Sequence, residues 1–172
     1  MESHATAASD NPEAARSTSQ ALLSSERAWI EIEIGPPEKD YEPDEEGNIL
    51  DLFECSIQIE NHCRTMARIE SVKIGVDSVD GPLPPEPLNS RTKNLHTVLG
   101  SRQKQTVDGF TADSFSDAQS ILEGTKRGIL RVVVKYRDVF EPSVLRETSA
   151  VYVFQNSLED EPERVSSLCA YT

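Results

Sequence analysis

Apolar and polar residues alternate over two stretches in the first half of the chain. Ile30, Ile32 and Ile34 are separated by glutamates, so that every second side chain is apolar. The same alternation runs through the longer segment Leu50 to Glu60. Successive side chains of a β-strand point to opposite faces, and this period of two is therefore typical of strands with one buried and one solvated face. The chain is predicted to build antiparallel sheets, whose outer faces tolerate polar residues.

Further strand patterns follow along the chain. The strongest is Ile129 to Tyr136, which is rich in β-branched residues and pairs naturally with Thr148 to Phe154. A three-residue step from Ile69 to Val72 predicts a bulge in a preceding strand. The remaining segments with strand patterns are Ala67–Val76, Leu95–Leu99 and Gln103–Phe110. With loops rich in Gly and Pro, these patterns favour an all-β fold, an Ig-like antiparallel β-sandwich of about seven strands.

Two short helices are predicted beside the strands. Asn11 is a suitable N-cap followed by proline, so an N-terminal helix is expected over residues 11–27. It has a weak apolar stripe and is expected to lean on the β domain, because a short helix is marginal in water. Ser116 and Gln119 form a capping box that predicts a short crossover helix over residues 117–123.

One folded domain with appended ends is expected from the length of 172 residues, because one hydrophobic core commonly serves about 100 to 200 residues. Residues 1–10 lack apolar periodicity and are predicted to be a disordered N-terminus. The β-sandwich domain is predicted to span residues 28–155. Residues 156–172 begin with a run of carboxylates and are predicted to form an acidic flexible tail.

The chain carries a formal net charge of −13. Binding to nucleic acid relies on clustered Lys and Arg that displace counterions from phosphate, so nucleic acid and anionic membrane surfaces are disfavoured as partners. Acidic residues crowd the segment 38–51, which follows the strand-breaking Gly35-Pro36-Pro37 and is interpreted as a solvated loop. A calcium site built from Asp44 to Asn48 and Asp51 is the alternative for this loop.

Three cysteines, Cys55, Cys63 and Cys169, are too few and too irregularly spaced to predict a disulfide framework or a zinc site. No cofactor-binding motif is recognisable, so no cofactor is expected. No stretch approaches the roughly 18 consecutive apolar residues of a membrane span. A soluble, cytoplasmic protein is expected. The alternative is membrane association through a partner or through an upstream helix missing from this chain.

Several single residues are candidates for a site. Tyr136 and Asp138 lie two residues apart and share a face at the end of the strongest strand. The preferred interpretation of Asp138 is structural, because aspartate orders turns by accepting backbone N–H bonds. Trp29 is expected to anchor the N-terminal helix by burying its ring, and a partner-binding role is the alternative. His62 and Cys63 are adjacent and point to opposite faces of an extended chain, which disfavours a nucleophile and base pair.

Three short motifs together give the chain a resemblance to a family. They are Ser25-Glu26-Arg27-Ala28-Trp29-Ile30, Asn61-His62-Cys63-Arg64-Thr65-Met66-Ala67 and Tyr136-Arg137-Asp138-Val139-Phe140. In this order they resemble a group of uncharacterised bacterial proteins in which a helix precedes an Ig-like β-sandwich. The family tends to have Gly and Pro where Cys63 and Met66 stand here. The resemblance implies the fold and no catalytic residues, and a membrane helix that members usually carry ahead of the first helix is absent from this sequence.

The expected function is that of a non-enzymatic structural or protein-interaction module that uses a sheet edge or the acidic loop. The protein partner is unknown. The alternative is a small-ligand-binding or enzymatic domain that uses the sandwich end near Tyr136, Asp138 and the turn from Asn61 to Thr65. The candidate ligand or interaction residues are Trp29, Asn61, Thr65, Tyr136 and Asp138. A deep pocket joining them would favour the alternative.

Overall fold

The computed structural model describes most of the chain between Arg27 and Tyr171. The described residues are 27–35, 38–43, 49–84, 89–111, 114–115, 117–154, 162–166 and 170–171. The predicted disordered segment 1–10 lies outside them. The predicted N-terminal helix also lies outside them, apart from its last residue, Arg27, which stands in a bend.

Within these residues the chain consists mainly of strands. In chain order the elements are β1 (Ile30–Ile34), β2 (Glu38–Pro43), β3 (Ile49–Asn61), β4 (Ala67–Val79), β5 (Asn89–Leu99), β6 (Lys104–Thr111), α1 (Ala118–Leu122), β7 (Arg127–Asp138), β8 (Arg146–Phe154), β9 (Glu163–Arg164) and β10 (Ala170–Tyr171). The strands form two sheets, of four and six strands, and the pairings within them are antiparallel. The predicted all-β fold with antiparallel sheets is confirmed.

β3 is the central strand of the four-stranded sheet. One of its edges pairs with β6, and the other edge pairs with β1 and then with β2. β1 ends with Ile34 opposite Ile57, and β2 begins with Glu38 opposite Glu54. Between these two pairs the chain advances four residues from Ile34 to Glu38, whereas β3 changes by only three, from Ile57 to Glu54. The register therefore shifts by one residue, as it does at a β-bulge.

The acidic segment after β1 is not wholly a loop. β1 ends at Ile34, as the strand-breaking Gly35-Pro36-Pro37 predicts, but the interpretation of the whole segment 38–51 as a loop is wrong, because residues 38–43 pair with β3 as β2 and β3 begins at Ile49. The Gly35 N–H donates to the Ser56 carbonyl oxygen at 2.8 Å and carries the pairing past the end of β1. Residues 44–48, with most of the hypothetical calcium ligands, lie outside the described residues.

The six-stranded sheet has the order β10, β8, β7, β4 and β5, and β9 also pairs with β8. The register shifts between Ile69 and Ser71, which confirms the predicted bulge. β9 and β10 lie within the segment predicted as a flexible acidic tail, yet Arg164 stands opposite Tyr152 on β8. The structure differs from the expectation at these two strands. The free edge of β8 offers backbone partners that the acidic sequence of the segment does not reveal.

Both sheets contribute to one hydrophobic core. The inward faces of β1 and β7 are buried as the alternation predicts, and only Ile34 is partly exposed. The core residues of these two strands are Ile30, Ile32, Leu130, Val132, Val134 and Tyr136. Phe110, Phe115 and Phe154 meet edge to face, with ring centroids 5.6 to 6.0 Å apart. This is the geometry that aromatic rings prefer in a core.

α1 is the predicted crossover helix between β6 and β7. Its N-cap is Asp117, whose carboxylate accepts a hydrogen bond from the Ser120 backbone N–H at 3.2 Å. The predicted capping box of Ser116 and Gln119 is therefore wrong. The Lys126 ammonium, 2.7 Å from the carboxylate, together with Ser120 lowers the pKa of Asp117 to about 2. The cap is thus an ionised acceptor, which the positive end of a helix favours.

Gly128 of β7 lies against the aromatic cluster and generates the first prediction. A Cβ at this position would approach side-chain atoms of Phe115 to 2.9 Å, Ile121 to 3.1 Å and Phe154 to 3.3 Å. Gly128→Ala is expected to lower the free energy of unfolding by about 1 to 3 kcal/mol through overpacking, as measured by urea denaturation. Gly81→Ala is the control, because a Cβ there meets nothing within 4 Å. Equal midpoints for the two variants would contradict the close packing.

Candidate functional site

The residues singled out from the sequence lie at one end of the two sheets. They are Trp29, Asn61, Thr65, Tyr136 and Asp138. Ala67 pairs with Leu99 on one side and with the end of β7 on the other, which brings three connections between strands together. Asn61 pairs with Ile30 and so adds the start of β1. We call this region the loop end and define it as residues 27–29, 61–68, 98–103 and 136–146.

Asn61 orders the connection between β3 and β4. Its side chain is fully buried, and its Nδ2 donates to the carbonyl oxygens of Thr65 at 2.5 Å and Leu99 at 3.2 Å. Its Oδ1 accepts a hydrogen bond from the Cys63 backbone N–H at 3.2 Å. Thr65 is also buried. Both ends of the amide are therefore engaged within the protein, and Asn61 holds the turn in place.

Tyr136 links β7 to the start of β1. Its ring is buried, and its hydroxyl donates to the Ala28 carbonyl oxygen over a long 3.4 Å. Burial raises the pKa of Tyr136, against the opposing effects of a hydrogen bond with Thr148 and of the Arg146 charge. The phenol is thus held in its neutral form between the two sheets.

Asp138 orders the corner between β7 and β8. Its carboxylate is fully buried, and Oδ1 accepts hydrogen bonds from the backbone N–H groups of Phe140 and Glu141, each at 2.8 Å. These are the bonds that the turn chemistry of aspartate predicts. Its other oxygen, Oδ2, lies 3.4 Å from Nε of Arg146. Oδ1 is therefore occupied by the chain itself, whereas Oδ2 has the Arg146 charge beside it without a hydrogen bond.

Glu141 extends the contacts of Asp138 into a chain of ion pairs. One Glu141 oxygen accepts from Arg146 at 2.7 Å, and the other accepts from Arg27 at 3.2 Å. Arg146 is largely buried between the two carboxylates. The exposed pair of Glu141 with Arg27 connects the corner to the segment just before β1, and such exposed pairs contribute little stability by themselves.

His62 is held by neighbours on both sides of its ring. Its Nε2 lies 2.7 Å from the Glu31 carboxylate, and its Nδ1 lies 3.0 Å from a guanidinium nitrogen of Arg102. Because arginine can only donate, Nδ1 is the accepting nitrogen, and Nε2 faces the Glu31 carboxylate without forming a hydrogen bond. The Trp29 ring lies 6.2 Å from the imidazole at a tilt of 48°. Both ring nitrogens thus face residues other than Cys63.

Trp29 is 49% exposed, which differs from the buried anchor that the sequence favours. It belongs to a set of seven exposed large apolar side chains in the described part of the chain, and all of them lie at the loop end. The set is Trp29, Met66, Val98, Val139, Phe140, Val144 and Leu145. Single exposed apolar residues are ordinary, but a group gathered in one place is typical of an interaction surface.

Sequence reasoning missed most of this group. The available signal was the position of two apolar pairs, Val139-Phe140 and Val144-Leu145, inside the connection between β7 and β8. Connections are expected to be polar, and consecutive apolar residues there are unusual without a function. Met66 carried a weaker signal, because it stands in a turn at a place where the resembled family tends to have proline.

The loop end is basic although the chain as a whole is acidic. Its arginines are Arg27, Arg64, Arg68, Arg102, Arg137 and Arg146. Against these six stand two carboxylates, Asp138 and Glu141, which gives the region a net charge of +4 in a chain of −13. Three carboxylates just outside the region contact it: Glu70 pairs with two of the arginines, and Glu31 and Glu60 lie 2.7 and 3.7 Å from the His62 ring. Arg64 and Arg102 are exposed and have no carboxylate partner among the described residues.

A cavity of about 400 Å³ lies away from the loop end. Its lining residues are Ile74, Val76, Asn89, Ser90, Arg91 and Ser114. These positions include the start of β5, whereas the loop end contains the end of β5 and the start of β4. The candidate residues therefore line no part of this cavity.

The described residues hold no group of three or more His, Cys, Asp or Glu side chains arranged for a metal ion. In the same part of the chain, no helix is long and apolar enough to cross a membrane. The chain matches no protein-family model, and no curated protein is significantly similar to it. Its function is therefore inferred from the loop end itself.

Replacement of Asp138 tests its structural role. Asp138→Ala should lower the free energy of unfolding by about 1 to 3 kcal/mol, because the N–H groups of Phe140 and Glu141 lose a buried acceptor. Asp138→Asn is the matched variant, since its side-chain oxygen can still accept both bonds, and it should retain more of the stability. Chemical denaturation measures both. An unchanged midpoint for Asp138→Ala would show that the carboxylate does not order the corner.

The raised pKa of Tyr136 generates a prediction about alkaline pH. Its phenol is expected to stay protonated in the folded protein at pH values above the ordinary 10.0. Because the folded pKa lies above the unfolded one, the neutral phenol contributes stability that is complete below about pH 10 and is lost as pH rises through the folded pKa. The difference between the ultraviolet titration curves of the wild type and of Tyr136→Phe isolates the ionisation of the Tyr136 phenol. An ordinary midpoint in the difference signal would contradict the prediction.

Proposed function

We propose that the chain is an Ig-like β-sandwich module that acts without catalysis, as a structural or protein-interaction domain. The shared hydrophobic core and the bond from the Tyr152 hydroxyl to the Ile32 carbonyl oxygen at 2.6 Å support the sandwich. The three motifs that resemble the bacterial family add support, since Asn61 and Asp138 order a turn and a corner at the positions where those motifs occur.

The loop end is the proposed binding surface. One observation carries this proposal. All the large apolar side chains that are exposed in the described part of the chain lie at the loop end. The polar groups that a catalytic site would need are instead engaged internally, with Tyr136 buried and the Asp138 carboxylate bonded to backbone N–H groups. A surface with exposed apolar side chains and occupied polar groups fits binding of a protein better than chemistry on a substrate.

On each of two edge strands a backbone carbonyl is already bonded by a side chain of the other sheet, which supports the loop end over these two edges as the place of binding. On one side of the molecule, Tyr152 of β8 bonds the Ile32 carbonyl of β1. On the other side, the Lys93 ammonium of β5 donates to the Val107 carbonyl of β6 at 2.9 Å. Edges whose backbone groups already have partners are poor templates for an added strand.

A double variant, Phe140→Ser with Leu145→Ser, tests the proposed surface. Both side chains are exposed, so the variant should melt close to the wild type while losing apolar contact area. In affinity capture from the source cell followed by mass spectrometry, the wild type should retain specific proteins that the double variant does not. Thr92→Ala, exposed on β5 outside the loop end, is the control and should retain them. Equal retention by the double variant and the wild type would contradict the proposal.

A further inference from the structure

We infer that the segment bound by the loop end is an acidic stretch of a partner protein that carries at least one bulky apolar side chain. The inference rests on the proposed role of the loop end in protein binding and adds the chemistry of the partner. It draws on the positive charge of the region, on arginines without carboxylate partners, and on the apolar side chains beside them.

Two arginines of the loop end can still form ion pairs with a partner protein. Arg64 and Arg102 are exposed, and no described carboxylate pairs with either. Arg102 donates to the His62 ring, which occupies one of the five N–H groups of a guanidinium. The planar fork of donors on arginine matches the two oxygens of a carboxylate. Both side chains are therefore available to an acidic segment.

Apolar side chains lie next to these arginines. Met66 follows Arg64 by two residues and is 50% exposed. Trp29 lies beside the His62 ring to which Arg102 bonds. Arg, Trp and Met are residue types enriched at protein interfaces, and binding energy concentrates on such anchors. A partner that offered charge alone would leave the apolar side chains in water, so an apolar residue in the partner segment is required for a good fit.

The acidic remainder of the molecule favours a short segment over an extended anionic surface. The loop end is positive, whereas the rest of the chain is strongly negative. At physiological salt, charges more than about 8 to 10 Å apart are largely screened. A short segment that touches only the loop end therefore meets its arginines and the few carboxylates that contact it, Glu31, Glu60 and Glu70, and is screened from the rest of the acidic chain. A membrane surface or a nucleic-acid backbone extends past the loop end and is repelled by the acidic remainder.

Selection from a random peptide library displayed on phage, with the full chain as bait, tests the inference. The enriched peptides should combine Asp or Glu with Trp, Phe or Leu. Measured by fluorescence anisotropy, their affinity should fall at least about tenfold in Arg64→Glu and in Arg102→Glu, because like charges then face each other. The affinity for the wild type should also fall as salt is added, since the contact charges are exposed.

Lys135→Glu is the matched control. It makes the same change of charge outside the loop end, at a side chain that is 47% exposed and 3.8 Å from Glu147. This variant should bind the peptides as the wild type does. Melting curves of the three glutamate variants check that each is folded. A loss of binding in Lys135→Glu equal to that in Arg64→Glu would show that only overall charge matters, and would overturn the inference.

The other outcomes separate this inference from the proposed function. Neutral or basic peptides that lose binding in the Phe140→Ser and Leu145→Ser double variant would overturn the acidic partner and keep the loop end as the binding surface. Peptides that bind the double variant as well as the wild type would overturn both. An absence of enriched peptides would also overturn the inference. Arg64-dependent binding to vesicles of phosphatidylserine and phosphatidylcholine would then assign the surface to a membrane, and Arg64-dependent self-association would assign it to a second copy.

Discussion

The buried hydrogen bond from the Tyr152 hydroxyl to the Ile32 carbonyl oxygen, 2.6 Å long, joins the two sheets at the edge of β1. β1 pairs with β3 on one side only, so this carbonyl would otherwise be buried without a partner. An unsatisfied buried group costs about 1 to 3 kcal/mol, and the bond therefore fixes β1 against β8. The position of β1 in turn decides where Ala28 and Trp29 lie, because these residues of the loop end come directly before the strand.

Much of the fold could be predicted from the sequence because period-two patterns depend only on which face of a strand is buried. β1, β7 and the part of β3 from Cys55 to Glu60 followed this pattern closely. β2 could not be predicted in the same way, since a run of acidic residues looks the same in a solvated loop and in an edge strand. Its pairing is decided by the continuation of the β3 ladder past Gly35. Asp117 caps α1 by accepting the Ser120 N–H, and its pairing with Lys126, nine residues further along the chain, was not evident from the sequence.

The candidate site was predictable where a single residue carries the chemistry. The role of Asp138 in its corner follows from local turn chemistry, and the structure shows the expected backbone bonds. The two apolar pairs between β7 and β8 could have been noticed in the sequence, but their meeting with Trp29, Met66 and Val98 could not, because these residues are distant in sequence and come together only when β4 pairs with β5 and β7. The contact of His62 with Glu31 is of the same kind. Alternation placed the Glu31 side chain on the outer face of β1 but could not show what would approach it.

Burial of polar groups and exposure of apolar groups are connected at the loop end. Asp138 accepts two backbone N–H bonds, and Arg146 pairs with Glu141, so these residues fix the backbone of the corner that carries Val139-Phe140 and Val144-Leu145. Apolar side chains held on an ordered backbone lose less conformational entropy when a partner binds. In the proposed module the ion pairs therefore act through preorganisation, and the exposed side chains supply the contact energy. Asp138 can thus be essential to the surface without touching the partner.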